Sequence, residues 1–459
     1  MLTVNLNIYK HLFEYYTELR VQENRELNIS FVRGNLVKNQ KKSTGGVSAR
    51  ARIKGSWGFA SSPVLKSGNI KKVIKEASYN AEFLNSREKK GKKPFHPSSP
   101  VVEKNFTTRK NKLTQKEIMD YIKKVDSYID NKYEHISDRQ IHLKCLDMEK
   151  NLLTSDGASL YSMLPRAIMY IMLTTEKDGE PIQVAEVFGG LGQFEDNFNK
   201  PSRFYEEFDE IYEHLMKKSE GIYSEAGVKD CILDAKLAGI LAHEAIGHTT
   251  EADLVLGGSV AGDYLNKRVA SPLISLTDFA SNFDGETCPV PIYIDDEGTE
   301  AKDVKIIEDG ILKGFMHDKE SAQHFNSEPT GNARAYQYFD EPLIRMRNTA
   351  ILPGESKLED MIASIDDGYY LINPRNGQAD TTSEFMFGVV LGYEIKNGEL
   401  KRAIKDTTIS GIAFDVLRSV TMVSDDMDWS AGGMCGKKQM ITAAMGGPAI
   451  KCRVNIGGR

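Results

Sequence analysis

Hydrophobic positions in the first part of the chain recur with two different periods. A period of three to four residues predicts two amphipathic helices, over 69–84 and 114–128. A period of two, typical of half-buried strands, predicts strands over 26–32, 46–53, 55–60, 142–147, 166–175 and 182–188, with a hairpin turn at 177–180. Together these elements predict a small mixed α/β domain.

The segment between the two predicted helices has neither period. Residues 86–116 are polar and basic and contain three prolines, so we expect an exposed connection there. The basic run at 87–93 is of a kind that usually forms a solvated face, and we assign it no phosphate-binding role.

The pattern changes near residue 204, where apolar residues at helical spacing predict a helix over 204–218. We place a domain boundary beside it, between residues 1–205 and 206–459. After about residue 285 the pattern is mostly of the β type, with strands predicted over 290–294, 302–308, 311–317 and 385–395 and turns at 309–310 and 397–398. The predicted fold class is α+β, an N-terminal mixed α/β domain followed by a C-terminal β-rich domain, barrel-like or sandwich-like.

Length, charge and cysteine content narrow the class of protein. A chain of 459 residues usually forms more than one domain. A net charge of −6 and an isoelectric point near 6.0 argue against a general nucleic-acid binder. The five cysteines are scattered without a CxxC pair, and no apolar run approaches the ~20 residues of a membrane span. We expect a cytoplasmic protein in a reducing compartment, without membrane contact.

One short motif on the opening helix of the predicted C-terminal domain carries chemistry. The apolar run 231–241 ends in His243-Glu244-Ala245-Ile246-Gly247-His248. Two imidazoles can hold a zinc ion and leave positions open, and a carboxylate beside them can take a proton from water. The motif therefore predicts a metallohydrolase with Glu244 as its base.

The spacing of the two histidines differs from the commoner HExxH, in which they lie four residues apart. Five residues at about 100° each carry the second ring roughly 140° round a regular helix. Both rings can face one ion only if the last turn widens or stops. Gly247 stands at that point, and glycine tolerates the backbone angles of such a turn.

The third ligand is not decided by sequence distance. Cys435 lies in a glycine-rich stretch, and Lys437 nearby favours the thiolate that zinc binds. Glu251 is its main rival, and the other candidates are Asp253, His317, His324, Asp295 and Asp296. The run Asp295-Asp296-Glu297 is more typical of a turn than of a second cation site. Arg334, Arg345 and Arg347 are more typical of ion pairs within a β domain than of a peptide-carboxylate site.

Several blocks from residue 225 onwards resemble the TldD/PmbA family, once named as modulators of DNA gyrase. They are the motif with Glu251 and Asp253 after it, and the stretches 294–299, 309–314, 330–332 and 346–349. Residues 55–62 resemble the family more loosely. The intact histidine motif is similar to the metal-bearing TldD branch.

This resemblance implies one metal per chain, held by His243, His248 and Cys435, with Glu244 in catalysis. It further implies a zinc metalloprotease acting on short or unfolded polypeptides, in a dimer with a PmbA/TldE-like subunit or with itself. The family block C-G-K-x-G-Q is one glycine shorter here, at Cys435-Gly436-Lys437-Lys438-Gln439.

Two other readings of the chain stay open at this point. One is a non-catalytic scaffold or modulator subunit that associates with protein or DNA. The other is a metal-dependent amidase acting on small molecules, since the sequence does not show the shape of the substrate pocket.

Overall fold

The first half of the chain forms a seven-stranded sheet in the computed structural model, which describes residues 4–430 and 432–457. The strands are β1 Tyr16–Val32, β2 Asn35–Ile53, β3 Ser56–Ser62, β4 Val101–Asn105, β5 Asp138–Thr154, β6 Ser159–Lys177 and β7 Glu180–Leu191. Their order is β3-β2-β1-β5-β6-β4, and β7 also pairs with β6. All pairs are antiparallel except that of β4 with β6.

Four helices accompany this sheet, α1 Ser67–Glu88, α2 Gln115–Lys132, α3 Phe194–Asn197 and α4 Tyr205–Ser219. A capping box between Thr114 and Glu117 starts α2. The apolar stripes of α2 and α4 share one core with the odd-numbered residues of β6, such as Met169 and Ile171. Because side chains alternate along a strand, the even-numbered residues of β6 face the other way, towards the C-terminal half.

The C-terminal half begins with β8 Gly227–Leu233, which leads into α5 Ala235–Ile240 and a widened turn at Leu241–Gly247. Short helices follow at α6 Ala252–Leu256, α7 Lys319–Phe325, α8 Leu358–Ala363 and α9 Ala413–Arg418. The remaining strands are β9 Leu276–Phe279, β10 Asn282–Phe283, β11 Glu286–Thr287, β12 Val304–Glu308, β13 Ile311–Leu312, β14 Ala333–Arg334, β15 Leu343–Ile344, β16 Asn348–Ile351, β17 Asp367–Ala379, β18 Glu384–Lys396, β19 Glu399–Ile404, β20 Thr407–Ile412, β21 Met422–Val423, β22 Asp428–Ser430, β23 Met434–Lys437, β24 Gln439–Thr442, β25 Ala444–Gly447 and β26 Ile450–Ile456.

Two of the C-terminal sheets enclose the helix that bears the histidines. One has the order β17-β8-β26-β20-β18-β19, and the additional pairing of β17 with β18 closes five of its strands into a ring. The other has the order β13-β12-β9-β16-β25-β22. The helix and its widened turn contact β17 of the ring and β16 and β25 of the second sheet. This barrel-containing arrangement confirms the predicted α+β class.

Charged groups join the two halves of the chain. Lys150 on β5 lies 2.7 Å from Asp296, and Arg50 on β2 forms a buried pair with Glu297. Within the part of the chain that the structure describes, no helix is long and apolar enough to cross a membrane.

Most of the predicted strands and helices are present, usually extended by several residues. The segment 86–116 is not wholly a connection, because β4 lies within it and pairs with β6. The strand predicted over 290–294 is wrong, since only Ile294 makes an isolated bridge, with Glu300. The strand predicted over 311–317 is reduced to Ile311–Leu312. The domain boundary near residue 205 stays a prediction.

Candidate metal centre

The helix that carries the motif changes its winding where the histidines lie. Asp234 caps α5 by accepting a hydrogen bond from the backbone N–H of Leu237, at 2.8 Å. The next seven residues, Leu241–Gly247, form a π-helical turn. Its backbone hydrogen bonds join residues five apart, and one of them runs from the N–H of His248 to the carbonyl of His243. The π turn brings the two rings to one side, as the spacing predicts.

Gly247 has a different role from the one its conformational freedom suggests. Its φ of −57° and ψ of −53° are ordinary helical values, so no special backbone angle is needed. A Cβ at this position would lie 2.0 Å from the Sδ of Met346, which is fully buried. Glycine is therefore required for close approach to Met346, and the expectation about backbone angles is wrong.

The three predicted metal ligands lie together. One ligand atom from each of His243, His248 and Cys435 lies within 4.8 Å of the other two. The Nε2 of His248 is 3.2 Å from the Sγ of Cys435. Across residues 4–430 and 432–457 this is the one such group of three or more His, Cys, Asp or Glu side chains.

His243 supplies the test of whether this group suits a metal ion. Its side chain is fully buried, and neither ring nitrogen has a hydrogen-bond partner among the described residues. Buried polar atoms are nearly always paired, so an unpaired imidazole facing a thiol and a second imidazole needs an explanation. A zinc ion would bind one of these nitrogens, and two imidazoles with one thiol form a donor set that zinc favours.

The protonation equilibrium of the thiol also suits a metal, whereas His248 has to release a proton when it binds one. Burial raises the pKa of the Cys435 thiol, but His243 and His248 lower it by more, so that the pKa falls below its ordinary value, to about 4. Burial lowers the pKa of His248, whereas hydrogen bonds to Cys435 and Glu251 raise it, to about 10. Cys435 is thus held as the thiolate, which is the form that binds zinc.

Glu244 lies at the open side of this cluster. One carboxylate oxygen is 3.6 Å from the Nε2 of His248, and the other is 4.0 Å from the Nε2 of His243. The side chain is 22% exposed, in contrast to His243 at 0%. Glu244 can therefore reach both the ligand atoms and a molecule that enters from solvent.

Glu251 binds the ring nitrogen of His248 that faces away from Cys435, a role that sequence spacing did not reveal. It is fully buried and accepts a hydrogen bond from the Nδ1 of His248 at 2.9 Å. The Nζ of Lys437 lies 3.1 Å from the same oxygen. Burial raises the pKa of Glu251, but His248 and Lys437 lower it below its ordinary value. A carboxylate on the outer nitrogen of a histidine orients the ring and leaves the Nε2 for a metal.

Arg345 holds the strand that carries Cys435. Its buried guanidinium donates to the carbonyl oxygens of Cys435, at 2.7 Å, and Gln439, at 2.8 Å. These residues lie on the hairpin of β23 and β24, in which Lys438 is the single residue between the paired Lys437 and Gln439. Lys438 has a φ of +59°, a conformation that favours glycine. The shortened block therefore closes as a tight turn.

The remaining candidates for ligands have other partners. Asp253 pairs with Lys437 at 3.0 Å, and His317 lies 3.2 Å from the Oγ of Ser321. Asp295 accepts three backbone N–H groups, which makes it a turn former. Arg347 forms a fully buried ion pair with Asp278. The basic run at 87–93 links the two halves, through Lys92 paired with Glu320 and through the carbonyl of Lys93, which accepts a hydrogen bond from Gln323.

Comparisons with known proteins agree over nearly the whole chain. The model of the PmbA/TldA metallopeptidase C-terminal domain matches residues 226–458, and that of PmbA/TldA metallopeptidase domain 1 matches residues 17–81. A metalloprotease of Methanocaldococcus jannaschii is 30% identical over 460 residues, with 98% of each chain covered. A zinc metalloprotease TldD homolog of Saccharolobus solfataricus is 30% identical over 418 residues, with 90% of each covered.

Solved structures share the fold. A candidate modulator of a DNA gyrase from Thermotoga maritima has a TM-score of 0.80 at 20% identity, and 98% of each chain is covered. TldE from Thermococcus kodakarensis has a TM-score of 0.75 at 18% identity, with 99% of each covered. The sequence matches place the chain in a class of proteins named as metallopeptidases. Within that class, the chain belongs to the TldD/PmbA family.

Proposed function

We propose that this protein is a zinc-dependent metallopeptidase that hydrolyses short or unfolded polypeptides. His243, His248 and Cys435 would hold one zinc ion per chain, and Glu244 would act as the general base. The observation that carries this proposal is the buried cluster itself, in which both ring nitrogens of His243 lack a partner among the described residues. The zinc metalloprotease name of the Saccharolobus relative supports the choice of metal.

The roles of the side chains follow from their positions. Zinc, when bound, supplies Lewis-acid polarisation of water and of the scissile carbonyl. Glu244 takes a proton from the attacking water and returns it to the leaving amine. Glu251 keeps the Nε2 of His248 directed at the centre, and Arg345 holds the backbone at Cys435. Catalysis therefore depends on two charged groups that touch neither zinc nor substrate.

The hairpin at Cys435 supports an extended substrate. Among the described strands, β23 pairs only with β24, so one edge of β23 has no strand partner. An extended peptide can add to such an edge through its main chain, and binding of this kind tolerates many sequences. A short or unfolded polypeptide can supply that extended segment, whereas a folded domain cannot.

The protein is also proposed to act as a dimer, with a PmbA/TldE-like subunit or with a second copy of itself. The likeness to the fold of TldE supports this assembly. Light scattering on the pure chain should give the mass of a dimer, either alone or after mixing with a TldE-like subunit. A monomer under both conditions would contradict it.

The decisive test combines metal content with turnover of an unstructured peptide. The unmodified chain should contain about one zinc, and His243→Ala and Cys435→Ala should lose both zinc and cleavage. Glu244→Gln should keep the zinc and lose about 10²–10⁴-fold in turnover, because the general base is removed. Glu286→Gln, at an exposed carboxylate on β11, serves as the matched control.

Three outcomes would refute the assignment. Full activity in Glu244→Gln would remove its role as base. Zinc retained by Cys435→Ala would reopen the choice of third ligand. A chain without zinc or turnover under metal-replete conditions would favour a non-catalytic scaffold, and cleavage of small amides but not of peptides would favour an amidase.

A further inference from the structure

A narrow cavity lies at the seam between the first sheet and the C-terminal half, away from the metal ligands. Its floor is formed by even-numbered residues of β5 and β6, which face the C-terminal half. They form three cross-strand pairs, Leu146 with Arg166, Met148 with Leu164 and Lys150 with Ser162. The floor is thus a small apolar patch with a cation at each end.

The roof of this seam pocket comes from the C-terminal half. The irregular segment 289–296 covers one side, and Arg334, Ile441 and Thr442 cover the other. The cavity has a volume of about 60 Å³, which suits a flat ring or an unbranched chain. Ile441 also pairs with Cys435 across the hairpin, so the pocket adjoins the strand that carries the proposed third ligand.

The charges around the seam pocket favour an anion. Three cations line it, Lys150, Arg166 and Arg334, against the two carboxylates Asp295 and Asp296. Asp296 is already paired with Lys150. Burial, followed by the charge of Glu297, raises the pKa of Asp295 well above its ordinary value, which favours its neutral form. The positive charge of the lining therefore exceeds the negative charge.

Arg334 is the group that an anion would reach. It is buried, and its guanidinium donates to two carbonyl oxygens, those of Met346 and, at 2.9 Å, Thr442. No carboxylate of residues 4–430 and 432–457 forms an ion pair with it. A buried guanidinium bound only by neutral oxygens is costly, and a carboxylate beside it would offset that cost.

We propose that the seam pocket binds an apolar molecule that bears a single carboxylate. The carboxylate pairs with Arg334, and a flat or unbranched apolar body lies against Met148 and Leu164. This chemistry belongs both to the C-terminal residue of a peptide and to a free aryl or aliphatic acid. Because Thr442 and Ile441 form part of the wall, the bound molecule contacts the Cys435 hairpin without touching the metal ligands.

The test is titration calorimetry on the full-length, zinc-replete chain carrying Glu244→Gln, which prevents turnover of a peptide. The probes are the peptide Gly-Gly-Phe and 4-phenylbutyrate, each compared with its amide. The acids should bind, and the amides should bind about tenfold or more weakly, since the charged hydrogen bond is lost. Binding of the peptide alone, or of the free acid alone, identifies the source of the ligand.

A pair of tryptophan variants separates the seam pocket from binding at zinc. Leu164→Trp fills the cavity from its floor and should abolish binding. Ile168→Trp, four residues along the same face of β6 and outside the lining, should leave binding unchanged. Zinc content and thermal unfolding check both variants. If Leu164→Trp fails to fold, Arg334→Gln replaces it, and this variant should no longer distinguish acid from amide.

The proposal fails if neither acid binds, if acid and amide bind equally, or if Leu164→Trp binds as the parent chain does. The last result would assign the carboxylate to the metal. None of these results alters the zinc content or the role of Glu244, so failure here is distinct from failure of the proposed peptidase function.

Discussion

The proposed metal centre depends on residues that contact the proposed ligands without being ligands themselves. Glu251 is buried, bears a negative charge and holds His248 by its outer nitrogen, while Lys437 compensates that charge. The carboxylate determines which nitrogen of the ring faces Cys435. The orientation of the His248 ring in the proposed site therefore depends on the ion pair between Glu251 and Lys437.

Replacement of Glu251 should show this dependence. Glu251→Gln removes the charge that orients and polarises His248, and loss of such a partner typically weakens metal affinity about 10–100-fold. The measurement is zinc affinity by competition with a chromogenic chelator. Asp253→Asn is the matched control, because Asp253 also pairs with Lys437 but does not contact His248 in the structure. Equal zinc affinity in both variants would show that Glu251 does not position the ligand.

At the scale of elements, the π turn packs closely against the segment between β15 and β16, which carries Met346. The turn places His243 and His248 on one side, and Met346 packs against the backbone of Gly247 within it. A helix of regular winding would place the second histidine elsewhere. The HExxxH spacing and the glycine before the second histidine therefore belong to one structural feature.

Gly247→Ala should destabilise the protein by about 1–3 kcal/mol and lower its zinc content, since the new methyl overlaps the Met346 sulfur. The double variant Gly247→Ala/Met346→Ala should be more stable than the sum of the two single changes predicts. Thermal unfolding of the four proteins gives the coupling. Gly68→Ala, in α1 with open space at the Cβ position, is the control. Strict additivity would mean that the contact with Met346 is not the reason for glycine.

The sequence predicts an element well when one face of it is buried and the other is wet. Strands 142–147 and 166–175 lie within β5 and β6, where buried residues such as Leu143, Met169 and Ile171 alternate with less buried ones over part of each strand. The beginning of β1 was not predicted, because the polar side chains Arg20, Gln22 and Asn24 are buried against the C-terminal half. The segment 290–294 has apolar residues but also Pro291, and it forms the roof of a pocket rather than a strand.

The proposed metal site was predicted in part for similar reasons. The histidine motif is local, so its spacing alone indicates the widened turn. Cys435 was the preferred candidate among several because of its glycine-rich surroundings and Lys437, with Glu251 as its main rival, and the family resemblance strengthened that preference. Arg345 acts through a contact with Cys435, which is distant in sequence, and Glu251, although only three residues from His248, also pairs with the distant Lys437. A single sequence contains no record of such long-range contacts.

At the scale of the whole molecule, buried charges hold the two halves together. Asp296 accepts two bonds from Lys150, and Arg20 lies 3.5 Å from it. Asp296 also accepts a hydrogen bond from the backbone of Ala335 in the C-terminal half. Removing one member of such a network leaves the others buried and uncompensated.

Asp296→Ala should therefore lower the free energy of unfolding by about 3–5 kcal/mol. Lys150→Met/Asp296→Ala should recover part of that loss, because the double variant no longer buries an unpaired ammonium group. Urea unfolding of the two variants and the parent chain measures the difference. A double variant less stable than Asp296→Ala alone would show that the cost comes from lost packing instead.

The separation of His248 from Cys435, 187 residues along the chain, has a consequence for biosynthesis. A ribosome releases the histidine motif long before the strand that brings the thiol. Until then the unfinished chain has Glu244 and two imidazoles, but not the complete set of proposed ligands. A peptidase built in this way has no complete metal centre while it is itself unfolded. Unfinished chains would therefore not cleave one another during synthesis.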